Sequence, residues 1–449
     1  MESITEMPKY ESFKCSGVDT LGTIPSHWNI ARFHDVFKFG KGLNITKENL
    51  QDDGIYCINY GEIHSKYGFE LDPSVHPLKC VDEGYLHKNE KSLLKRGDFI
   101  FADTSEDFDG SGNFTYLKAD AQVFAGYHTL IARLKMDLNE RYLAYVLESM
   151  AFRLQVRRAV KGVKVFSITQ NILKGTKVWF ADEKEQELIV KYLDRKIKLL
   201  DKAISIKEKQ VCLLKEQKEI VIEKAVTEGI YQNLSMRDSG IDWIGMIPEH
   251  WEVKRAKYIF DEVDERSKTG DEELLSVSHM TGVTPRSEKN VNMFMAEDYS
   301  GSKLCRENDL VINIMWAWMG ALGVSNQVGI VSPSYGVYRQ KVKDTFNPVY
   351  LEYLLKSTKY VEYYNKVSTG LHSSRLRFYG HMLFAMKIGY PPIDEQNEII
   401  AYLDEQTQLI DDAVNVQNDQ IVKLKEFKTS LINSVVTGKI IITPEMVEG

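Results

Sequence analysis

Two segments of the chain carry apolar residues in alternating steps of three and four, which is the spacing of a coiled coil. They lie in residues 182–229 and 392–449, and each keeps the pattern for four to five heptads. Apolar spacing sustained over this length indicates two long helices that pack along a shared seam, rather than two surface helices. The residues that we expect to form the coiled-coil interface are Leu193, Ile197, Leu200, Ile204, Val211, Leu214, Leu403, Ile410, Val414, Ile421, Leu424 and Leu431.

Polar residues interrupt the two seams at matching places, and they indicate the direction of packing. Parallel helices in register would bury Lys218 against Lys428, which brings like charges together. Antiparallel helices would instead pair Lys207 with Gln417 at the midpoint. We therefore expect an antiparallel coiled coil. The alternative is two independent helices, each packed on its own domain.

Residues that favour helix ends bracket both segments. Asp182 and Asp394 are predicted N-caps, because a carboxylate accepts hydrogen bonds from the unpaired amides of the first turn. Gly229 and Gly438 fall where the helices should stop, because glycine readily adopts the left-handed conformation that ends a helix. Helices of about 42 residues would be about 60–65 Å long.

The chain also repeats itself in tandem. Ser16–Phe37 matches Ser239–Phe260 at an offset of 223, and both copies contain an Ile-Pro-x-His-Trp block. Glu185–Ile204 matches Glu395–Val414 at an offset of 210. Two such matches predict a duplicated architecture. The block that follows the proline suggests a structural corner that joins each domain to its helix.

The remaining regions mix short β-rich runs with amphipathic helical patterns, which is typical of α/β domains. We divide the chain into a first α/β domain (residues 1–181), a first long helix (182–229), a linker with a second α/β domain (230–391), and a second long helix with a tail (392–449). The predicted fold class is α/β (α+β). Two similar mixed domains are joined by the two long helices, with an internal pseudo-two-fold duplication.

A basic stretch recurs at the same place in each domain. No acidic residue lies between Ser149 and Ala181, and the second stretch contains one, Glu362. Such segments are suited to holding phosphates, and their arginines can also reach base edges. The predicted DNA-binding residues are Arg153, Arg157, Arg158, Lys161, Lys164, Lys366, His372, Arg375 and Arg377. The alternative is a solvated helix face without a ligand.

Trp316 and Trp318, two residues apart, are expected on one face of a strand, where core packing is favoured over base stacking.

Composition and charge exclude several classes of protein. The net charge of −7 is confined to Ile393–Gly449, which holds 4 basic and 11 acidic residues, so it does not oppose nucleic-acid binding elsewhere. Five scattered cysteines without a C-x-x-C pair argue for reduced thiols in the cytoplasm and against a cysteine-based zinc site. We find no apolar run long enough for a membrane span and no signal-peptide pattern.

No set of catalytic residues can be assembled from the sequence. A Walker-type phosphate loop is missing, which argues against an ATP-driven motor. The acidic cluster Asp103, Glu106, Asp107 and Asp109 suits a flexible polar loop better than a metal site, and the second repeat lacks it. We therefore expect a non-catalytic chain that holds neither cofactor nor metal.

Four motifs together resemble one known family. They are the Ile-Pro-x-His-Trp blocks, the GIDWIG segment at Gly240–Gly245, the two long-helix repeats with their shared EQ, YLD and ID elements, and the VTGKI segment at Val436–Ile440. The chain resembles the specificity subunits of type I restriction-modification systems over essentially its whole length. The first copy departs from the pattern at Thr20 and in VTEGI at Val226–Ile230.

The resemblance implies a function and a set of partners. Each variable region would be a target recognition domain that reads one half of a split, asymmetric DNA site, and the coiled coil would fix the spacer. Two methyltransferase (modification) subunits would bring S-adenosylmethionine and methylate adenine, and one or two restriction (translocase-nuclease) subunits would use ATP and Mg²⁺. The competing interpretation is a coiled-coil scaffold for protein assembly that does not bind DNA.

Overall fold

The computed structural model describes residues 6–162, 164–289, 298–370, 372 and 375–448. The chain forms two compact units. The first comprises Met1–Lys207 and Asp419–Gly449, and the second comprises Glu208–Asn418. Each unit contains one α/β domain and a part of both long helices, because the chain passes from one unit to the other within each helix. The predicted mixed α/β fold with two long helices is confirmed.

The described residues form helices that are mostly short, apart from the two long ones. They are α1 Phe33–Val36, α2 Tyr60–Ser65, α3 Tyr85–Lys88, α4 Glu140–Glu148, α5 Met150–Ala159, α6 Gln170–Gly175, α7 Glu183–Glu228, α8 Pro348–Lys356, α9 Thr358–Val367, α10 Gly380–Ala385, α11 Ile393–Val436 and α12 Pro444–Glu448.

The strands are short in both units. Those of the first unit are β1 Phe13–Cys15, β2 Thr23–Pro25, β3 Asn29–Arg32, β4 Phe37–Lys41, β5 Ile55–Ile58, β6 Phe69–Leu71, β7 Cys80–Val81, β8 Phe99–Ala102, β9 Thr104–Ser105, β10 Phe114–Leu117, β11 Val123–Ala125, β12 Thr129–Leu134, β13 Phe166–Ser167 and β14 Lys177–Phe180. Those of the second unit are β15 Met236–Asp238, β16 Met246–Pro248, β17 Glu252–Arg255, β18 Phe260–Glu262, β19 Leu275–Ser278, β20 Gly282–Pro285, β21 Lys303–Cys305, β22 Leu310–Ile312, β23 Leu322–Val324, β24 Gly329–Val331, β25 Gly336–Gln340 and β26 Lys387–Tyr390.

The main sheets of the two units share a pattern. In the first unit the order is β4-β12-β8-β10-β6, and in the second it is β18-β25-β22-β23. The strand before each long helix pairs with the strand that follows the Ile-Pro-x-His-Trp block, as β14 with β3 and β26 with β17. In both units an arginine forms an ion pair with a buried aspartate directly before a central strand. Arg133 pairs with Asp98 before β8, and Arg339 pairs with Asp309 before β22.

The long helices pack antiparallel within each unit. In the first unit Lys428 Nζ lies 2.7 Å from Asp201 Oδ1, and Lys207 donates to Gln420. In the second unit Lys218 Nζ lies 2.6 Å from Asp411 Oδ2. Partner numbers fall along one helix as they rise along the other, which is the antiparallel direction. The two Lys–Asp pairs are copies of each other at the 210-residue offset.

Most of the predicted seam residues are shielded from solvent. Nine of the twelve are buried, and Ile197, Val211 and Leu214 are half-buried. In the second unit Leu403 belongs to the main core cluster, which also includes Ala225 and Val226. In the second unit both long helices therefore contribute to the same hydrophobic core.

Helix ends agree with the sequence in three of four cases. Asp182 Oδ1 accepts from the Glu185 amide at 2.9 Å, as an N-cap does. The helices end before Gly229 and Gly438, which have φ of 83° and 70°. The expectation for Asp394 is wrong, because α11 begins one residue earlier and Asp394 lies inside its first turn.

Each Ile-Pro-x-His-Trp block forms a corner at the beginning of a long helix. In the first unit His27 Nε2 and Trp28 Nε1 lie 2.8 and 3.2 Å from Glu185 Oε2. In the second unit His250 Nε2 lies 2.6 Å from Glu395 Oε2, and Trp251 Nε1 lies 3.1 Å from Glu395 Oε1. Both tryptophans are buried, so the carboxylate satisfies an indole N–H that water does not reach.

Candidate nucleic-acid interface

Each unit carries a short hairpin directly after the second helix of its α-helical pair. The first hairpin, residues 161–167, follows α5 and is closed by an antiparallel bridge between Lys161 and Ser167. The second hairpin, residues 369–377, follows α9 and is closed by a bridge between Thr369 and Arg377. Residues 163, 371, 373 and 374 lie outside the described part of both hairpins.

A glycine follows the first bridge residue in each hairpin and permits the close approach of the two strands. A Cβ on Gly162 would lie 2.2 Å from the Val165 carbonyl oxygen, and one on Gly370 would lie 2.3 Å from that of Arg375. No larger residue fits without opening the hairpin. The recurrence of glycine here therefore has a steric cause.

Both hairpins are attached to the main sheet by the same backbone hydrogen bond. The amide of Ile168 donates to Asp103 O at 2.8 Å, and the amide of Phe378 donates to Ile314 O at 2.9 Å. Asp103 and Ile314 follow the equivalent strands β8 and β22. The hairpins thus project from corresponding points of two similar domains, which places both basic stretches on equivalent structural elements.

Six of the nine predicted DNA-binding residues are exposed at or beside the hairpins. In the first unit they are Arg158, Lys161 and Lys164, and in the second they are Lys366, His372 and Arg375. The Arg375 amide donates to His372 O at 2.8 Å, so a backbone hydrogen bond holds these two residues close together. Exposed cations on a projecting hairpin are able to reach phosphates or base edges.

The other three have intramolecular partners. Arg153 Nη2 lies 2.7 Å from Glu148 Oε2, and Arg157 Nη1 lies 3.2 Å from Asp109 Oδ1. The Arg157 side chain is only 12% exposed. Arg377 is half-buried and donates to the Leu376 carbonyl at 2.9 Å. The sequence could not reveal these pairings, because both acidic partners of the arginines lie outside the basic stretch.

A network of polar side chains contacts β9, the strand that pairs with the first hairpin. His64 Nε2 lies 2.8 Å from Thr104 O, and His64 Nδ1 lies 2.9 Å from Asn113 Nδ2. Asn113 Oδ1 accepts from Arg153 Nη1 at 2.7 Å. The Asn113 amide group donates to Nδ1, so the network favours the tautomer with the proton on Nε2. Arg153 therefore helps to orient the strand that pairs with the hairpin.

The acidic cluster lies in the loop that pairs with the first hairpin. Glu106, Asp107 and Asp109 are exposed, and Asp103 is bonded to His128 at 3.1 Å. Among the described residues no group of three or more potential ligands is positioned to hold a metal ion. The cluster instead supplies the partner of Arg157.

The expectation for the two tryptophans is wrong. Trp316 and Trp318 lie in and beside the short 3₁₀ helix Ala317–Met319 rather than in a strand. Their rings stack at 6.0 Å with an interplanar angle of 27°. Trp316 is 47% exposed, so it is not a core residue. A residue pair two apart is ambiguous between a strand and a tight turn, and Gly320, with φ of 80°, permits the turn.

Sequence reasoning also missed Glu185 and Glu395, which organise the two corners. Their signal was present, because each belongs to the 210-offset repeat while its His-Trp partners belong to the 223-offset repeat. The coincidence of two repeats with different offsets could have indicated a contact between them.

The chain is similar to known proteins in sequence and in fold. Residues 25–211 match the family described as the type I restriction modification DNA specificity domain. The matched residues comprise most of the first α/β domain and part of α7, and this part of the chain is similar to that family. A protein of Methanocaldococcus jannaschii assigned as a type I restriction enzyme specificity subunit, MjaX, is 24% identical, with 98% of this chain and 99% of that protein covered. The MjaVIII specificity subunit of the same organism is 21% identical, covering 93% and 94%.

Solved structures agree on the fold. A chain from a study of complex assembly and conformational transition of the type I R-M system superposes with a TM-score of 0.65 at 17% identity. The match covers 92% of this chain and 98% of that one. The HsdS subunit from Thermoanaerobacter tengcongensis gives a TM-score of 0.50, also at 17% identity, covering 93% and 98%. Within the described residues, no helix combines the length and apolarity needed to cross a membrane.

Proposed function

We propose that this chain is the DNA sequence-recognition subunit of a type I restriction-modification complex. Each α/β domain reads one half of a bipartite, asymmetric target. The observation that carries this proposal is the duplicated hairpin, attached by the same backbone bond in both units and bearing exposed cations. Similar hairpins with different side chains suit two different half-sites, because side chains rather than the fold select bases.

The antiparallel helices set the spacer between the half-sites. Both α7 and α11 pass through both units, so the number of heptads fixes the length of the connection. Dimeric DNA readers relate protein geometry to half-site spacing in the same way.

The outer faces of the helices are the proposed docking surface for two methyltransferase subunits. Leu199, Ile206, Leu213 and Ile220 are exposed at intervals of seven residues on α7. Tyr402, Leu409 and Val416 repeat the interval on α11. Spacing by sevens keeps such residues on one side of a helix, which a partner helix can cover. Exposed apolar rows of this kind indicate a protein interface.

The chemistry belongs to the partners in this proposal. The chain itself is not an enzyme. S-adenosylmethionine binds to the methyltransferase subunits, while ATP and Mg²⁺ are used by one or two restriction subunits. The complex acts in the cytoplasm, where cellular DNA is found. The absence of a catalytic residue set in the sequence supports this division of labour.

Binding to duplex DNA tests the proposal. The purified chain should retard a random duplex in a gel shift, and the affinity should fall steeply as salt rises, because cations that bind phosphates release counterions. A variant with Lys161, Lys164 and Lys366 changed to Ala should show a smaller salt slope. A chain that assembles with a methyltransferase but does not bind DNA would support the scaffold function instead.

A further inference from the structure

The second unit contains a cavity of about 720 Å³ that is lined in part by the turn after strand β22. Its lining includes Trp316, Tyr335, Asn313 and Arg286. The volume lies in the range of small-ligand sites, which are about 300–1,000 Å³. Ile314 binds the residue that follows the second hairpin, and Trp316 is two residues further along. The segment that lines the cavity is therefore also the segment to which the second hairpin is attached.

Trp316 is held as a fixed aromatic surface. Its amide donates to Asn313 O at 3.0 Å, and its carbonyl accepts from the Met319 amide at 2.9 Å. Its ring stacks on Trp318, whose Nε1 donates to Met315 O at 3.1 Å. An indole that is fixed by its backbone and by a second indole loses little entropy when a planar ligand stacks on it.

The other lining groups suit a heteroaromatic ligand with polar edges. Asn313 Nδ2 donates to the Tyr335 hydroxyl at 3.0 Å, which orients the phenol. Burial raises the pKa of Tyr335, while the positive charge of Arg286 and the hydrogen bond from Asn313 act in the opposite direction. Aromatic walls with a nearby arginine and amide are the groups that stack on nucleobases and bond their edges.

The corresponding place in the first unit is built differently. Asp103 is the counterpart of Ile314 by the shared backbone bond, so Ser105 is the counterpart of Trp316. Ser105 is buried and donates to Asp107 O at 2.7 Å. Trp316 therefore has no aromatic counterpart in the first domain. Its role is not one that the two domains share.

We propose that this cavity binds one nucleobase that has left the base stack of the duplex, with Trp316 as its stacking surface. The inference rests on the proposed function, because it names a base-binding site within the second recognition domain. Turning out a base costs least when it is already mispaired. A base held in this way is read by stacking and by its edge, in addition to contacts made by the hairpin.

Duplexes with single altered positions in the mapped target test the site. The full-length chain is titrated with a series in which each base of the second half-site is removed in turn. At one position removal should weaken binding by roughly 5- to 150-fold, the range for loss of one stacked base. Trp316→Ala should bind the intact duplex as weakly as the wild type binds that abasic duplex. It should lose no further affinity when the base is removed, whereas Trp316→Phe should retain most of the effect.

A mismatch at the same position distinguishes an unstacked base from a groove contact. Mispairing should strengthen binding by the wild type and leave Trp316→Ala unchanged, whereas a groove contact would be weakened. Tyr258→Ala removes another exposed aromatic and should match the wild type throughout. Equal thermal unfolding of the variants verifies folding. Sequence-specific binding with additive effects at every position would overturn this inference alone, and the absence of specific binding by the wild type would overturn the proposed function with it.

Discussion

The two ion pairs between the long helices give the sharpest test of the helix arrangement. Lys218 pairs with Asp411 in the second unit and Lys428 with Asp201 in the first, at 2.6 and 2.7 Å. We predict that Lys218→Glu destabilises the chain, because the new carboxylate faces Asp411. A parallel arrangement predicts the opposite, since the same carboxylate would then face Lys428.

The size of the destabilisation depends on how far solvent reaches the ion pair. The Lys218 and Asp411 side chains are 30% and 51% exposed, so solvent screens their attraction. Such a pair contributes about 0.2–1 kcal/mol. Reversing one charge removes this attraction and adds a repulsion of similar size, so we expect a loss of about 0.4–2 kcal/mol. The second pair is a separate contact, so reversing both lysines should cost about twice as much.

Urea unfolding at low and high salt measures these effects. Lys218→Glu should lower the free energy of unfolding, and the combination with Asp411→Lys should restore most of it. The deficit of the single variant should shrink at high salt, because ions screen exposed charges. Stabilisation by Lys218→Glu alone, or no recovery in the double variant, would refute the antiparallel pairing.

Three further predictions concern the corners, the recognition hairpin and the spacer. Glu395→Ala should lower the free energy of unfolding by about 1–3 kcal/mol, since it leaves a buried indole N–H without an acceptor, and Glu395→Gln should lose less by thermal denaturation. Arg375→Ala should weaken DNA binding by about 1–3 kcal/mol and relax one half-site in a binding-site selection, whereas Lys343→Ala should do neither. An equal loss on all sequences would assign Arg375 to phosphate. Inserting one heptad within Glu208–Glu219 should change the spacer but neither half-site, and methylation-site sequencing that finds the original spacer would contradict the proposed role of the helices.

The parts of the fold that were predictable are those governed by periodicity. Heptad spacing located both long helices, and the left-handed glycines Gly229 and Gly438 marked their ends. The matching lysines indicated the direction of packing, because burying like charges is unfavourable. These features depend on residues near each other in sequence or on an exact repeat.

The candidate site was only partly predictable, because its details depend on distant contacts. The hairpin cations Lys161 and Arg375 are exposed. Arg157 instead pairs with Asp109, 48 residues earlier in the chain. Trp316 lies in a tight turn, although a strand was expected there. No local sequence pattern distinguishes a turn from a strand at this place. Periodicity describes elements, whereas side-chain partners arise from the packing of separate elements.

The pattern of methylated sites shows most directly whether one chain reads two separate half-sites. Adenine methylation should be mapped genome-wide in DNA modified by this chain together with a methyltransferase partner. We predict one asymmetric motif with two defined halves and a spacer of constant length that has no sequence preference. A single uninterrupted motif, or a spacer that varies from site to site, would show that the chain does not read two half-sites at a fixed separation.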